Sequence, residues 1–215
     1  MGSNAWDPEE VMSLDPDLII VINESDYEIV KDIAPTVFIP FTEMGYSERL
    51  TYIGEVLNKQ DEATILLADY EEKTQATIEK IHEEKPEVYN MTFSIVELWE
   101  AGSNMIVGDR WGRGGDIIYN KLGLTPSEKV QEEIFDGGEP YLLISDEVLP
   151  EYTGDYLVVS TSDDGITGYE DMAIWNSLSA VQNDNLIYVP FGMFYYDDII
   201  SQEAQLDVII DEILN

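Results

Sequence analysis

The chain has 215 residues, and its 45 acidic and 10 basic side chains give a formal net charge of −35 at pH 7. A duplex nucleic-acid partner is excluded, because contacts to phosphates need a basic face, and adsorption to an anionic membrane is disfavoured for the same reason. The absence of cysteine excludes disulfides, thiolate nucleophiles and cysteine-ligated metals. A hydrophobic content of 44% is nevertheless enough to form a folded core.

Short helices alternate with apolar strands in the first part of the chain. The first helix begins with Asp7 as its cap and Pro8 in its first turn, and Pro16 ends it. The predicted elements are a helix at 7–14, a strand at 18–22, a helix at 27–33, a strand at 37–40 and a helix at 47–57. This alternation, with strands that are apolar throughout, predicts an α/β fold with parallel strands.

Residues 61–84 predict one long helix. They contain no glycine or proline, their apolar side chains recur three and four positions apart, and Pro86 follows the last turn. A helix of this length spans roughly 36 Å, which is more than one small lobe needs. Two interpretations are open at this point: an amphipathic surface helix of an ordinary domain, or a rigid strut between two lobes.

The second half of the chain returns to the alternation of strands and helices. The predicted elements are a strand at 92–98, a helix at 115–122, a strand at 141–144, a helical turn at 147–152, a strand at 155–160, a helix at 174–180, a strand at 186–189 and an amphipathic helix at 202–214. An acidic surface turn is predicted at 163–165. This half therefore predicts further α/β structure after the long helix.

The sequence does not assemble an enzyme active site. The single histidine, His82, lies in the long helix beside Glu83 and Glu84, which is typical of a solvent-exposed helix position. A nucleophile elbow is absent, zinc lacks its usual histidine and cysteine ligands, and the spacing of an EF-hand is missing. We therefore expect a protein that is not an enzyme.

The glycine-rich stretch from Gly108 to Asp116 is the most unusual part of the sequence, because it holds Trp111 and two of the three arginines. If the loop is extended, Trp111 and Arg113 project to the same side. An indole beside a guanidinium suits a planar, oxygen-rich ligand. The alternative is that Trp111 fills a gap in the core and Arg113 pairs with one of the many acids.

Further aromatic side chains stand where loops are predicted. Phe194, Tyr195 and Tyr196 follow Gly192 and precede the last helix, and Tyr46 occupies a similar position after Gly45 in the first half. Adjacent aromatic side chains in a loop are typical of a binding cleft. We therefore include these four residues with the candidate ligand contacts.

Residues 9–20 (EEVMSLDPDLII) resemble the E-x-I-x-x-L-x-P-D-L-I segment of the siderophore-binding proteins of ABC iron importers. Further matching segments follow in the family's order: 33–37 (IAPTV), 53–55 (IGE) before the long helix, 114–117 (GGDI), 144–150 (ISDEVLP), and Trp175 leading to 187–189 (IYV). The resemblance covers nearly the whole chain from about residue 7, and the order and spacing of the segments carry it.

The resemblance implies an α/β fold of two lobes with mostly parallel sheets, joined by a long rigid helix, with the ligand held between the lobes. The implied division is a partial N-terminal lobe at 6–60, the inter-lobe helix at 61–86 and a C-terminal lobe at 87–215. Complete members have roughly another third of a lobe before the helix that carries Glu9. The first lobe is therefore expected to be incomplete, and a dimer formed through its exposed sheet edges is one alternative.

The resemblance also implies roles for individual residues. The run from Trp111 to Gly115 is most similar to the ferric hydroxamate branch, in which Trp111 and Arg113 would contact the iron–siderophore complex. The aromatic loop at 194–196 would form a second contact. One glutamate of each lobe, Glu9 and Glu147, would face arginines of the membrane permease.

The implied function is that of an extracytoplasmic binding protein, periplasmic or a cell-surface lipoprotein, that captures a ferric hydroxamate siderophore and delivers it to an ABC permease. Because the siderophore itself satisfies iron's coordination, we expect no cofactor and no protein ligand to the metal. Membrane attachment would come only through a lipid anchor outside this chain. The alternatives are a binding protein for another iron chelate, haem or a corrinoid, or a truncated fragment that self-associates without binding.

Overall fold

The computed structural model describes residues 6–41, 43–99, 102–161 and 168–215. The chain divides into two compact units, Met1–Ala63 and Thr64–Asn215. The acidic turn predicted at 163–165 lies outside the described residues. None of the helices in the described ranges combines the length and the apolar character of a membrane span.

The first unit contains a small parallel sheet and three helices. Its elements are α1 (Pro8–Ser13), β1 (Ile19–Val21), α2 (Glu24–Val30), β2 (Thr36–Phe38) and α3 (Tyr46–Val56). Strands β1 and β2 pair in parallel, with Ile19 opposite Thr36. Helix α2 begins three residues before its predicted start, since Glu24 and Asp26 place negative charge at the positive end of its dipole.

A small apolar core holds this unit together. The Asp7 side chain caps α1 by accepting a hydrogen bond from the Glu9 backbone N–H at 2.9 Å. The buried side chains of the cluster are Val11, Ile19, Val21 and Val30, and Tyr27, Ile33, Ala34 and Phe38 pack against them.

The long helix α4 (Gln60–Glu84) confirms the predicted helix of residues 61–84. The boundary between the two units falls in its first turns. Within the second unit it packs on the last helix, α10 (Ile199–Leu214), where the Tyr70 hydroxyl donates a hydrogen bond to Gln202 at 3.2 Å. The division into a partial lobe, an inter-lobe helix and a second lobe stays a prediction.

The second unit is built on one larger sheet. Its other elements are β3 (Thr92–Leu98), β4 (Asn104–Val107), β5 (Thr125–Pro126), α5 (Glu128–Val130), β6 (Tyr141–Ile144), α6 (Leu149–Tyr152), β7 (Tyr156–Thr161), α7 (Ala173–Asn176), α8 (Ser179–Gln182), β8 (Leu186–Pro190) and α9 (Phe191–Phe194). Two 3₁₀ turns lie at Pro86–Asn90 and Asp146–Val148, and two π-helical segments at Asp116–Lys121 and Gln131–Phe135.

The sheet is largely parallel, as the sequence predicts. Its strand order is β6-β4-β3-β7-β8, with β5 pairing the start of β3. Strands β3, β7 and β8 run parallel to one another, whereas β4 is antiparallel to both of its neighbours, β3 and β6. Strand β7 is buried along its whole length, and the central strand β3 is buried except at its two ends. Strands buried on both faces in this way are typical of a sheet covered on both sides.

The structure corrects several element predictions in this unit. Strand β4, helix α5 with the π-helical segment after it, and the short helix α9 were not predicted, because segments of three to five residues show no measurable period. The helix predicted at 174–180 is two short helices. The break lies at Ser177, whose hydroxyl donates to the Ile174 carbonyl at 2.7 Å and competes with the helix backbone.

The core of the second unit lies against the sheet. It contains the buried side chains of Val96, Ile106, Val130, Ile134, Leu149, Tyr152, Leu157, Val159, Tyr169, Trp175, Leu178 and Ala180.

A candidate ligand site around Arg113

The glycine-rich loop between β4 and the π-helical segment is coiled rather than extended. Gly112, Arg113 and Gly114 all have positive φ, at 72°, 57° and 81°. The backbone N–H of Arg113 donates to the carbonyl of Phe194 at 2.7 Å. A Cβ on Gly112 would lie only 3.2 Å from the carbonyl oxygens of Phe194 and Tyr195, so glycine at this position allows the two loops to approach closely. The extended geometry considered from the sequence is therefore wrong.

Arg113 forms a buried ion pair with Glu97 in the central strand β3. Its Nε donates to Glu97 Oε2 at 2.5 Å, and the two side chains are each only 8% exposed. The other carboxylate oxygen, Oε1, accepts from Trp99 Nε1 at 2.5 Å, and Arg113 Nη1 donates to the Trp111 carbonyl at 3.2 Å. The pairing of Arg113 with an acid, which the sequence left open as an alternative, is thus present.

Aromatic rings surround this ion pair. The guanidinium carbon of Arg113 lies 5.0 Å from the ring centroids of both Phe191 and Tyr195, which is the distance of a cation–π contact. The indole of Trp111 is partly buried and packs on Tyr141, with ring centroids 4.6 Å apart. Two rings therefore contact the Arg113 guanidinium, and of these the Tyr195 side chain is exposed to solvent.

The exposed part of the site is aromatic and belongs to two separate segments. Trp99 is 45% exposed, Tyr195 54% and Tyr196 59%, and the rings of Tyr195 and Tyr196 stand perpendicular with centroids 5.6 Å apart. Exposed aromatic side chains concentrated around one buried charge are typical of a ligand-binding surface.

Phe194 has a different position from its two neighbours in sequence. It is fully buried, and its ring lies about 3.1 Å from where a Cβ on Gly114 would stand, so its side chain packs inside the unit. The segment that carries it is the short helix α9 rather than an extended loop. Phe194 therefore has no surface to offer a ligand in this structure, whereas Phe191 and Tyr195 face Arg113.

The remaining predicted residues lie elsewhere. Tyr46 is buried at the start of α3 and Glu9 is exposed in the first turn of α1, both in the first unit. Glu147 is exposed in the 3₁₀ turn of the second unit, where a hydrogen bond from Ser145, together with a backbone hydrogen bond, lowers the pKa of its carboxyl. Among the predicted contacts, the structure thus brings together Trp111, Arg113 and the loop that carries Tyr195.

A buried polar network fixes the turn that presents Glu147. The side-chain amide of Asn104 donates to Asp146 at 2.8 Å, and the hydroxyl of Tyr169 donates to Asn104 at 2.8 Å. Burial, followed by the charge of Asp146, raises the pKa of Tyr169 to about 12. Asp146 is thereby anchored in the interior, while the next residue, Glu147, faces solvent.

A family model described as periplasmic binding protein matches residues 2–192. The chain belongs to the periplasmic binding protein family. Two relatives from Bacillus subtilis (strain 168) are the iron(3+)-hydroxamate-binding proteins YxeB, 34% identical over 96% of this chain, and FhuD, 36% identical over 95%. The chain spans 65% of the length of each of these two proteins.

Solved structures agree with this assignment. A periplasmic binding protein of the FhuD fold family, a component of a ferrichrome ABC transporter from B. subtilis, is 33% identical with a TM-score of 0.81, over 96% of this chain and 78% of that one. FhuD2 from Staphylococcus aureus with bound ferrioxamine B is 25% identical with a TM-score of 0.85, over 98% and 80%. The family resemblance and the α/β fold class inferred from sequence are confirmed, and an incomplete first lobe stays a prediction.

Four residues of the site in this periplasmic binding protein were not predicted from the sequence: Glu97, Trp99, Tyr141 and Phe191. Only Glu97 leaves a signal, because it is the one acid within the otherwise apolar or uncharged strand β3. A carboxylate in a buried strand is rarely left unpaired, so Glu97 could have been matched with one of the three arginines. The three aromatic residues lie in short segments whose sequence pattern does not distinguish a residue of the site from a residue of the core.

The described residues of this family member contain no group of three or more histidine, aspartate or glutamate side chains arranged to hold a metal ion. In the candidate site both oxygens of Glu97 already accept hydrogen bonds. The candidate site can therefore offer a ligand contact with aromatic rings and hydrogen bonds from the N–H groups of Arg113.

Proposed function

We propose that this periplasmic binding protein captures a ferric hydroxamate siderophore outside the cytoplasm and delivers it to an ABC permease. The observation that carries the proposal is the buried Arg113, whose guanidinium carbon lies 5.0 Å from the rings of Phe191 and Tyr195 and whose Nη1 donates to the backbone carbonyl of Trp111. The names of the relatives support the same ligand class, since two are iron(3+)-hydroxamate-binding proteins and one solved neighbour holds ferrioxamine B.

The chemistry of the surface suits such a ligand. A hydroxamate siderophore combines apolar linkers with an oxygen-rich iron centre. Exposed rings of Trp99, Tyr195 and Tyr196 supply apolar contact area, and the N–H groups of Arg113 that Glu97 and Trp111 leave free are donors for hydroxamate oxygens. The siderophore fills the coordination sphere of the iron, so the protein provides no ligand to the metal, uses no resident cofactor and catalyses no reaction.

Glu9 and Glu147 are proposed as the contacts to arginines of the permease. Both are exposed near the start of a helical turn. Glu147, like any exposed glutamate, is ionised at neutral pH, and the hydrogen bond from Ser145, with a backbone hydrogen bond, lowers the pKa of its carboxyl further. An ionised, exposed carboxylate pairs readily with a guanidinium. In the cell the protein would be periplasmic or anchored to the outer face of the membrane by a lipid.

Titration with ferrioxamine B and with ferrichrome, followed by tryptophan fluorescence, tests the proposal. We expect saturable quenching at micromolar ligand, and we expect the quenching to decrease in a Trp111→Phe variant. A folded protein that shows no quenching with either ligand would overturn the proposal. A Soret shift with haemin would then favour a haem-binding protein, and a stable dimer in light scattering without any ligand response would favour a self-associating fragment.

A further inference from the structure

We infer that Glu97 determines the charge selectivity of the site: by cancelling the charge of Arg113, it removes the preference for anionic ferric chelates that a free guanidinium would give, so that cationic and neutral chelates are accepted. This inference rests on the proposed function, because it concerns which siderophores the same surface accepts. It starts from a carboxylate that the family resemblance did not include.

The Glu97 carboxylate is fixed between Arg113 and Trp99. Glu97 Oε2 accepts from Arg113 Nε at 2.5 Å, and Oε1 accepts from Trp99 Nε1 at 2.5 Å, so the carboxylate is held at both oxygens. Both members of the pair are buried, and burial strengthens their interaction because water screens it poorly. A ligand that contacts Trp99 or Tyr195 therefore meets a pair with no net charge instead of a free guanidinium.

The other bases of the loop and of the π-helical segment after it also have acidic partners. Arg110 lies 3.6 Å from Asp109 within the same loop, and Lys121 lies 3.3 Å from Glu71. The loop thus contributes no uncompensated positive charge with which to attract an anionic chelate. Among the described ion pairs of this loop, the one between Arg113 and Glu97 is buried, whereas the Arg110 side chain is more than half exposed.

The charge of Glu97 should have a measurable effect on ligand affinity. Replacing Glu97 by glutamine keeps the shape and one acceptor oxygen but removes the charge, so Arg113 becomes a net positive charge beneath the aromatic surface. For a ligand charge about 10 Å away and an effective dielectric constant of about 20, the affinity changes by on the order of tenfold per unit of ligand charge. Anionic ligands should gain and cationic ligands should lose.

Three forms of one chelate make a matched test. Ferrioxamine B carries a positively charged amine, its N-acetyl derivative is neutral at that position, and its N-succinyl derivative carries a carboxylate instead, while the ferric trihydroxamate is the same in all three. Dissociation constants are measured by calorimetry at low ionic strength for the wild-type protein and for Glu97→Gln, Arg113→Gln and the double variant. Circular dichroism reports folding for each variant.

The anionic and cationic forms differ by two units of charge, so we expect the ratio of their affinities to rise on the order of a hundredfold in Glu97→Gln. The ratio should fall in Arg113→Gln and return towards the wild-type ratio in the double variant. Opposite shifts in the two single variants distinguish a charge effect from a general loss of structure. Either single variant that folds is a test by itself, and the double variant, which buries neither charge, shows whether the two shifts cancel. Glu97→Asp, which keeps the charge, should keep the wild-type preference.

Glu212→Gln is the matched control for total charge. Glu212 is exposed in the last turn of α10, roughly 20 Å along the helix from its start at Ile199, and its removal should leave the ratio unchanged. If wild-type protein binds ferrioxamine B but the ratio is the same in Glu97→Gln and in wild type, the inference is wrong and the proposed function stands. If wild-type protein binds none of the three forms, the proposed function itself fails.

Discussion

At the scale of single residues, the ion pair between Arg113 and Glu97 shapes both the stability and the chemistry of the candidate site. Removing one partner of a buried pair leaves an uncompensated charge, which typically costs about 3–5 kcal/mol of stability. The contacts of Arg113 with Phe191 and Tyr195 depend on the same anchor. The buried Arg113 side chain thus helps to hold the rings of Phe191 and Tyr195 in place.

Trp111 is the residue whose removal should weaken ligand binding most directly. We expect Trp111→Ala to cost about 1–3 kcal/mol of binding free energy for ferrioxamine B, as truncation of an aromatic contact commonly does. Because Trp111 is itself a fluorophore, calorimetry is the suitable measurement.

The control for Trp111 is Tyr188→Ala. Tyr188 is 44% exposed on β8 and lies near the charges of Glu170 and Asp184. Equal losses of affinity in the two variants would contradict the assignment of Trp111 to the site.

Tyr169 predicts a loss of stability at alkaline pH. Its pKa of about 12 in the folded protein lies above the ordinary value of 10.0, first because of burial and then because of Asp146. The unfolded chain therefore loses this proton first as the pH rises, so the contribution of Tyr169 is complete below about pH 10 and disappears between about pH 10 and 12. A shift of this size corresponds to about 2–3 kcal/mol.

Urea denaturation at pH 8 and at pH 11.5 measures this effect. The difference between the two free energies of unfolding should be smaller in Tyr169→Phe than in wild type, although Tyr152, whose pKa is also raised to about 12, keeps part of it. Tyr196→Phe, at an exposed position, is the control and should behave as wild type. The same difference in Tyr169→Phe as in wild type would show that this network does not titrate as described.

At the scale of elements, the glycine-rich loop is fixed by close backbone approach. Gly115 has a right-handed conformation that any residue adopts, but a Cβ there would lie 2.0 Å from the carbonyl oxygen of Gly108. Any side chain larger than that of glycine at position 115 would therefore collide with the backbone of Gly108, the first residue of the loop. Since the Arg113 backbone bonds to the Phe194 carbonyl, a displaced loop would also move α9.

We expect Gly115→Ala to destabilise the protein by about 1–3 kcal/mol, as overpacking typically does, and to weaken siderophore binding. Gly192→Ala is the matched control, because Gly192 lies within α9 with no atom inside 4 Å of its Cβ position. Alanine there should be neutral or slightly stabilising. Thermal denaturation compares the two, and a Gly115→Ala variant as stable as Gly192→Ala would contradict the crowding.

At the scale of the whole molecule, the net charge of −35 is spread over helices, turns and strand ends. Most acids are exposed and keep the protein soluble by mutual repulsion. Against this background, Glu9 and Glu147 are distinguished only by the docking role proposed for them.

Replacing these two glutamates should separate docking from ligand capture. We expect Glu9→Ala and Glu147→Ala to retain the wild-type dissociation constant for ferrioxamine B but to reduce the stimulation of ATP hydrolysis by the partner ABC transporter in proteoliposomes. Glu151→Ala is the control, since Glu151 is exposed four residues after Glu147. Full stimulation by the Glu147→Ala variant would remove Glu147 from the docking surface.

The sequence by itself determined the order of most elements, the long helix α4, the α/β class and the family. These depend on signals that act within a few residues, such as the proline after Asp7, the spacing of apolar side chains and the unbroken apolar strands. The loop with Trp111 and Arg113 was found for the same reason, because its composition is unusual over nine residues.

Only the tertiary structure decided what those residues contact. Glu97 and Arg113 are 16 positions apart, and the Arg113 backbone bonds to Phe194, which lies still further along the chain. The antiparallel placement of β4, the burial of Phe194 and the exposure of Tyr195 follow from the same long-range packing. Local patterns do not encode such contacts, because each depends on which distant segment comes to lie against the strand or loop.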